Sequence, residues 1–366
     1  MRLIKLKNKK ITISIMGILI FIGVICYIDI KSEYKLDSKN LFIVKENNKF
    51  GIIDKNEKFV LKQNFDFIDE LSEGYARVLK KDKWGFINNK LDLEIPIKYD
   101  YVYEFSEGYS GIQKGEKWGF INLKGKEVIE VKYDWISNFN NKIALVKESN
   151  KFYFIDENGN NIFNKYYLYA SPFSNGVAIV QSQKDIIEAI DYSGKVLLTL
   201  SRGNIRSLGK FDEGRLLLSY TDEKKQEKFK LIDINNKVIV EESDGLTYFN
   251  NGVAFYGKRN DINIKWGIMD MNGKKVTDLI FNNVNINSKL YYGASIINKQ
   301  GEEKWGFVNK LGEFIIKPSF DFGGIFYDEY GTVAIKEGTN LKWGVIDKTG
   351  VEIIKCKYQM ISPFSG

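Results

Sequence analysis

Apolar and polar positions alternate in short, recurring runs along most of the chain. Ala76/Val78 and Ala178/Val180 place apolar side chains at every second residue, the period of a half-buried strand. A few polar residues follow each such run, and then a second apolar run such as Lys83-Trp84-Gly85-Phe86-Ile87. Next comes an Asx residue with Gly or Asn three positions on, as in Asn122…Gly125, Asp156…Gly159, Asp233…Asn236 and Asp347…Gly350. An Asx start and an end residue tolerant of positive φ make a tight turn. A third short strand is predicted after it (Val128-Ile129, Phe314-Ile315-Ile316), and a Lys132-Tyr133-Asp134-like segment leads onward. The pattern predicts β-hairpins with a third strand, many times over.

The copies are in phase. LSEGYARV (71–78), FSEGYSGI (105–112), FSNGVAIV (173–180), FDEGRLLL (211–218) and FNNGVAFY (249–256) align on one anchor position. Its occupants read Asn40, Gly74, Gly108, Lys142, Gly176, Gly214, Gly252, Gly293, Gly331 and Gly366, at intervals of 34, 34, 34, 34, 38, 38, 41, 38 and 35. Nine units therefore fill residues 40–366. A second landmark recurs as KFGIID (49–54), KWGFIN (83–88 and 117–122), KFYFID (151–156), KWGIMD (265–270), KWGFVN (304–309) and KWGVID (342–347), with degenerate copies at 186–191 and 228–233. Five of the six tryptophans (Trp84, Trp118, Trp266, Trp305 and Trp343) share its second position, each followed by glycine: Gly85, Gly119, Gly267, Gly306 and Gly344. A glycine inside a strand marks a bulge or the close approach of another backbone. The expectation is an indole lying over a neighbouring strand once per unit, a packing role that tolerates Phe50, Phe152, Phe229 and even Ile187 in its place.

One segment breaks the pattern. Ile11 to Ile28 is a run of 18 residues without charge. As a helix it would span about 27 Å, close to the thickness of a bilayer's hydrocarbon core. Arg2, Lys5, Lys7, Lys9 and Lys10 precede it, which places the N-terminus in the cytoplasm and the repeats outside. The bulky end Val24-Ile25-Cys26-Tyr27-Ile28 favours an uncleaved signal anchor over a cleaved signal or a lipidated cysteine. The expected organisation is a basic stub (1–10), a transmembrane signal anchor (11–28), a linker (29–39) and the repeats (40–366).

Charge and composition narrow the chemistry. Those five basic residues leave only +2 of the formal +7 for the rest of the chain, so the net charge makes no case for nucleic acid. The chain has no histidine, which excludes histidine-dependent triads and histidine-containing zinc sites. Cys26 and Cys356 read as a membrane-embedded thiol and a small core residue. No phosphate-binding glycine loop, metal-ligand cluster or nucleophile elbow is present, so no cofactor is expected.

The Lys-Trp-Gly-(Phe/Val)-(Ile/Val)-(Asp/Asn) landmark on a period near 35, with Tyr-Asp and Phe-Ser-Glu-Gly between, resembles the bacterial WG-repeat (KWG-repeat) family over residues 40–366. The resemblance implies an all-β tandem array without assigned catalytic residues. Units of this size cannot bury their own apolar faces and must stack on neighbours. An open, solenoid-like superhelix is favoured because propellers usually have four to eight blades; propeller-like closure is the alternative, the last unit being completed by the strand at Leu41–Val44.

The spacing from anchor to tryptophan position is 10 in the first four units, 11 in the fifth, and 15, 14, 12 and 12 thereafter. The first hairpin loop therefore lengthens at 219–228, 257–265, 298–304 and 336–342, all on one side of the array. Loops on a rigid scaffold are common sites of recognition. Lys224, Lys225, Lys258 and Arg259 are the candidate binding residues there, beside the reading that these are merely solvated insertions. The expected function is a non-catalytic extracytoplasmic scaffold for a protein, peptide or cell-wall glycan, with an envelope spacer and, further behind, a carboxylate-pair glycosidase as alternatives.

Overall fold

The computed structural model describes residues 38–365, apart from 204, 261, 262 and 289. Among them the chain is all β after one short 3-10 turn at Ser38–Asn40, and none of their helices is long and apolar enough to cross a membrane. The predicted signal anchor lies outside the described residues.

Nine antiparallel sheets follow one another as the blades of a closed β-propeller. Blade 2 is typical: an inner strand Phe67–Ile68, then Tyr75–Lys80, Lys83–Asn88 and an outer strand Leu93–Tyr99. Blades 3 to 9 occupy residues 101–133, 135–155, 169–201, 205–243, 245–270, 284–320 and 322–358. Blade 1 is built from both ends of the repeat region. Met360–Pro363 pairs with Leu41–Glu46 (Phe42 opposite Pro363, Lys45 opposite Met360), and Lys49–Asp54 and Phe59–Phe65 complete the sheet.

That pairing corrects the favoured open superhelix to a closed ring. The reason is hydrophobic as much as backbone. Phe42, Val44 and Ile53 of blade 1 share one buried cluster with Val345, Ile354 and Tyr358 of blade 9, so an open array would expose both faces.

The core sits between blades. Phe86, Ile95 and Tyr99 of blade 2 pack with Val102, Phe105, Ile112 and Ile121 of blade 3. The turns form as the sequence predicts. Asn122 Oδ1 accepts the amides of Lys124 and Lys126 while Gly125 takes φ 70°, and Asp156 and Asp347 do the same in their units. At the anchor turns Glu73-Gly74 and Glu107-Gly108 both have positive φ, as a type I′ hairpin requires.

Two anchors were out of register. Gly293 and Gly331 lie inside strands, opposite Phe307 and Ile346, and the turns of blades 8 and 9 come earlier in sequence. Small residues there mimic the anchor glycine. The third strand also proves longer than its apolar core suggests, running Glu127–Tyr133 in blade 3 and Phe314–Phe320 in blade 8.

Candidate functional site

The ring has two faces. One carries the anchor turns; the other carries the hairpins between second and third strands and the crossovers from one blade to the next.

In blades 2, 3, 7, 8 and 9 the tryptophan–glycine pair organises the packing near the hairpin face. The Trp84 ring lies 5.7 Å from Phe67 of its own inner strand and 5.0 Å from Tyr101 of the next. Trp305 and Trp343 flank Phe322 at 4.9 and 5.4 Å, Trp118 stacks on Tyr103 at 4.7 Å, and Trp266 covers Gly245. Trp118 and Trp305 are buried and the other three half-buried. Trp135, the sixth tryptophan, occupies the inner-strand position of Phe67 and Tyr101. The glycines have a steric cause. A Cβ on Gly85, Gly119, Gly306 or Gly344 would stand 2.3–2.6 Å from a backbone oxygen of the outer strand, and one on Gly267 2.7 Å from the Asp278 oxygen in the irregular segment that replaces that strand in blade 7. In blades 2, 3, 8 and 9 the outer strand bulges across at this residue.

Sequence reasoning missed why the motif starts with lysine. Lys49, Lys83 and Lys117 pair with Asp66, Asp100 and Asp134 at the crossovers, as Lys304 does with Asp321 at 2.7 Å and Lys228 with Asp244. The second oxygen of each carboxylate accepts a hairpin amide of the following blade, from Lys81, Gly115, Ser149, Lys336 and Arg259 respectively. Each aspartate thus ties two blades together. The lysine partner is the main cause holding Asp66, Asp100, Asp134 and Asp244 below the usual carboxylate range; in Asp321 burial is the largest cause and opposes the shift, and Lys304 together with the Lys336 amide and charge outweighs it. The signal was available: lysine and aspartate recur 17 residues apart in units 1, 2, 3 and 8. On the anchor face Glu73 accepts the amides of Glu107 and Gly108, and Glu107 those of Asn141 and Lys142, a second inter-blade link.

The lengthened loops turn out to be paired hairpins. Val78 pairs with Gly85 in blade 2, whereas Leu218 pairs with Lys230, Tyr256 with Gly267, Ala294 with Gly306 and Val333 with Gly344. The hairpins of blades 6 to 9 are therefore four or five residues longer than that of blade 2, and they project from four consecutive blades on one face. Lys224, Lys225, Lys258 and Arg259 are exposed on the first two, and the Arg259 amide is already used by Asp244. Ile297 and Ile335 are exposed on the other two.

A cleft of about 940 Å³ lies where the ring closes, lined by residues of blades 9, 1 and 2 with one residue of blade 8. Phe67, Phe322, Leu341, Trp343 and Met360 wall it, and Asp69, Glu70, Asn285 and Tyr327 line its end toward the anchor face. Tyr327 of blade 9 donates to Glu70 of blade 2, 257 residues away, and Asp69 is held by the Arg77 guanidinium. Gln359 stands at the crossover position that aspartate fills elsewhere, its Oε1 accepting the Asn48 amide at 3.2 Å. Cys356, read as a core residue, is half-buried, and burial pushes its thiol up to about 12. Among the described residues no three His, Cys, Asp or Glu side chains gather as a metal-binding group.

A family model described as "WG containing repeat" matches residues 50–84, 84–118, 118–152, 154–184, 305–338 and 343–366, more than half of the chain. The chain belongs to the WG-repeat family. The matches leave out 185–304, which holds the two units where Ile187 and Phe229 replace the tryptophan. A comparison with curated proteins gives no match. Among solved structures, this WG-repeat protein is similar to a eukaryotic initiation factor, with a TM-score of 0.63 at 10% identity over 89% of this chain and 99% of the other. BamB from Moraxella catarrhalis (TM-score 0.40, 12% identity, 78% and 94% of the two chains) and the WD40 domain of Toxoplasma gondii coronin (0.36, 10%, 75% and 89%) align more loosely. At such identities the likeness to the initiation factor concerns the fold alone.

Proposed function

We propose that this WG-repeat protein is a non-catalytic interaction scaffold, held at the cell membrane by its N-terminal segment, with the repeats on the extracytoplasmic side. Its partner, a protein, peptide or cell-wall glycan, engages the hairpin face of blades 6 to 9. The observation that carries this reading is the common lengthening of four neighbouring hairpins. Extra residues scattered at random would fall in any of the turns; here they gather on one face and are stiffened by backbone pairing, so little ordering entropy opposes binding. Exposed Ile297 and Ile335 beside exposed lysines give the mixed apolar and charged surface of a recognition patch.

The test uses the full chain with these four hairpins cut to the length found in blade 2. Binding to glycan arrays and peptide libraries is compared with that of the intact protein, and thermal unfolding checks that the ring survives. Loss of binding with the ring intact is the expected result. Unchanged binding rejects the hairpin face, and no binding by either protein favours the envelope spacer. Protease protection in intact cells tests the orientation: the repeats should be cut from outside.

A further inference from the structure

The crossover at which the ring closes differs from the others in one side chain. At five crossovers an aspartate meets the motif lysine of the blade before it with one oxygen and a hairpin amide of the blade after it with the other. Between blades 9 and 1 the lysine is Lys342, and Gln359 holds the aspartate position. Gln359 Oε1 accepts the Asn48 amide at 3.2 Å, which fixes how the side-chain amide is turned. The remaining atom of that amide is Nε2, a donor, where each aspartate offers a second oxygen to its lysine. It has no hydrogen-bond partner among the described residues. Asn282, also neutral at a crossover, is turned the opposite way and gives its Oδ1 to Lys265 at 2.9 Å. Without an acceptor at the crossover, Lys342 lies 3.5 Å from Glu337 of its own hairpin, a side chain 72% exposed, whereas Lys304 sits 2.7 Å from Asp321. Two donors thus occupy a place built elsewhere for a donor and an acceptor, and both line the cleft.

We propose that this cleft binds a carboxylate carried on an apolar stem, the carboxylate supplying the acceptor that Gln359 lacks. One of its oxygens accepts from the Lys342 ammonium and the other from Gln359 Nε2, since a carboxylate has acceptor sites for both. The stem lies along Phe322, Trp343 and Met360, which wall the cleft and are half-buried or exposed, so their apolar surface is open to it. Lys45, whose carbonyl accepts the Gln359 amide and whose ammonium lies 5.5 Å from the Phe50 ring, adds positive charge at the same end. The acids that line the cleft, Asp69 and Glu70, stand toward the anchor face and are bonded to Arg77 and Tyr327, so the ligand's carboxylate goes to the hairpin end. There it displaces Glu337 from Lys342. The chemistry is shared by a free aliphatic carboxylate and by the C-terminus of a partner chain ending in an apolar side chain. Lys342 is the motif lysine, as Lys83 is in blade 2, and Gln359 lies outside the hairpins. The site therefore stands or falls independently of the proposal above.

The test titrates the full chain with octanoate, 1-octanol and octylammonium by calorimetry. Octanoate should bind about fivefold more tightly than octanol, and octylammonium more weakly than either. Gln359→Asp, which gives Lys342 the partner found at the other crossovers, should bring octanoate down to the level of octanol or below while thermal unfolding shows the ring intact. Lys342→Gln should bring octanoate to the level of octanol and spare octanol itself. Glu337→Gln, which removes the competing carboxylate, should strengthen octanoate by about twofold. Octanol binding as tightly as octanoate, no binding by any of the three ligands, or a preference for octanoate that survives both Gln359→Asp and Lys342→Gln would overturn the proposal. A pentapeptide ending in leucine and its C-terminal amide separate the sources. Displacement of octanoate by the free acid alone supports a partner's C-terminus, and displacement by neither supports a small carboxylate.

Discussion

Blades 2 and 3 and blades 5 and 6 perform the same task with different chemistry. The first pair carries every link: lysine–aspartate clamps, glutamates over the next turn, and tryptophan among inner-strand aromatics. Their shared core is rich in rings, with Phe86, Tyr99 and Phe105 beside Tyr75 and Trp84. Between blades 5 and 6 the core is almost wholly aliphatic, formed by Val177, Ile179, Ile187, Leu198, Leu216, Leu218 and Ile232 around a single Phe211. There Ile187 pairs with Leu200 and Glu188 with Thr199 in regular succession, without the bulge that crosses Gly119 in blade 3. In blades 2, 3, 8 and 9 tryptophan, glycine and a bulge of two extra residues occur together, whereas the outer strand of blade 6 bulges by one residue across Lys230 and that of blade 5 does not bulge at this position. Where the outer strand runs straight, the glycine is unnecessary, and an aliphatic side chain fills the narrower gap.

The sharpest way to break this comparison is to place alanine at the equivalent position of the two blades. In Gly119→Ala the new Cβ meets Ile129 O at 2.6 Å and further backbone atoms at 2.8 Å, and none of these can turn aside as a flexible side chain would. The expected loss is about 2–4 kcal/mol. Glu188→Ala, at the same position of blade 5, already has room for a Cβ and should change stability by about 0.5 kcal/mol or less. Urea denaturation of both variants checks the contrast. Equal effects would mean that the glycine serves something other than the bulge.

The clamps give a smaller and pH-dependent difference. Asp321→Asn leaves Lys304 with only the exposed Glu302 at 3.7 Å, and since the pair is largely but not fully shielded the loss should be about 1–2 kcal/mol at neutral pH. The folded carboxylates of Asp66, Asp100, Asp134, Asp244 and Asp321 are all held below their ordinary pKa. Their contribution is therefore fully present above about pH 4, where the unfolded carboxylates are also ionised, and fades as pH falls through the depressed folded values. The Asn variant should accordingly converge on the parent protein in acid. A gap that persists at pH 2 would show that the aspartate acts by shape and not by charge.

Much of this was legible in the sequence. The period-two runs, the Asx turns and the in-phase tryptophans follow from local rules, and each is found where the residues place it. Ring closure was not legible, because the pairing of Phe42 with Pro363 joins segments more than 300 residues apart and local pattern says nothing of it. The anchors at Gly293 and Gly331 misled for a related reason: a glycine in a strand and a glycine in a turn look alike until the strand's partner is known. The clamps could have been found, since a lysine and an aspartate recur at fixed separation. The cleft could not, because Tyr327 and Glu70 meet only once the ring is closed.

The finest probe of the comparison is to restore a missing clamp. At the crossover from blade 4 to blade 5, Leu168 stands where aspartate stands at the three preceding crossovers, and its amide donates to Gln181 O as Asp134 donates to Lys147 O. The backbone is therefore already in the clamp conformation. Lys151, the lysine of that unit, lies over the Tyr166 ring at 5.4 Å in place of a carboxylate, and Leu168 is 60% exposed, so its removal leaves no cavity. Leu168→Asp should draw the Lys151 ammonium onto the new carboxylate and raise stability by about 0.5 kcal/mol at low ionic strength, within the range of exposed ion pairs. The gain should shrink in about 1 M salt, where the Debye length falls to about 3 Å, and vanish below pH 4 as the new carboxyl protonates. A variant less stable than the parent at neutral pH and low salt would mean that the exposed leucine and its neighbouring tyrosines hold this crossover together by apolar contact, and that blade 5 abandoned the clamp for a different interface.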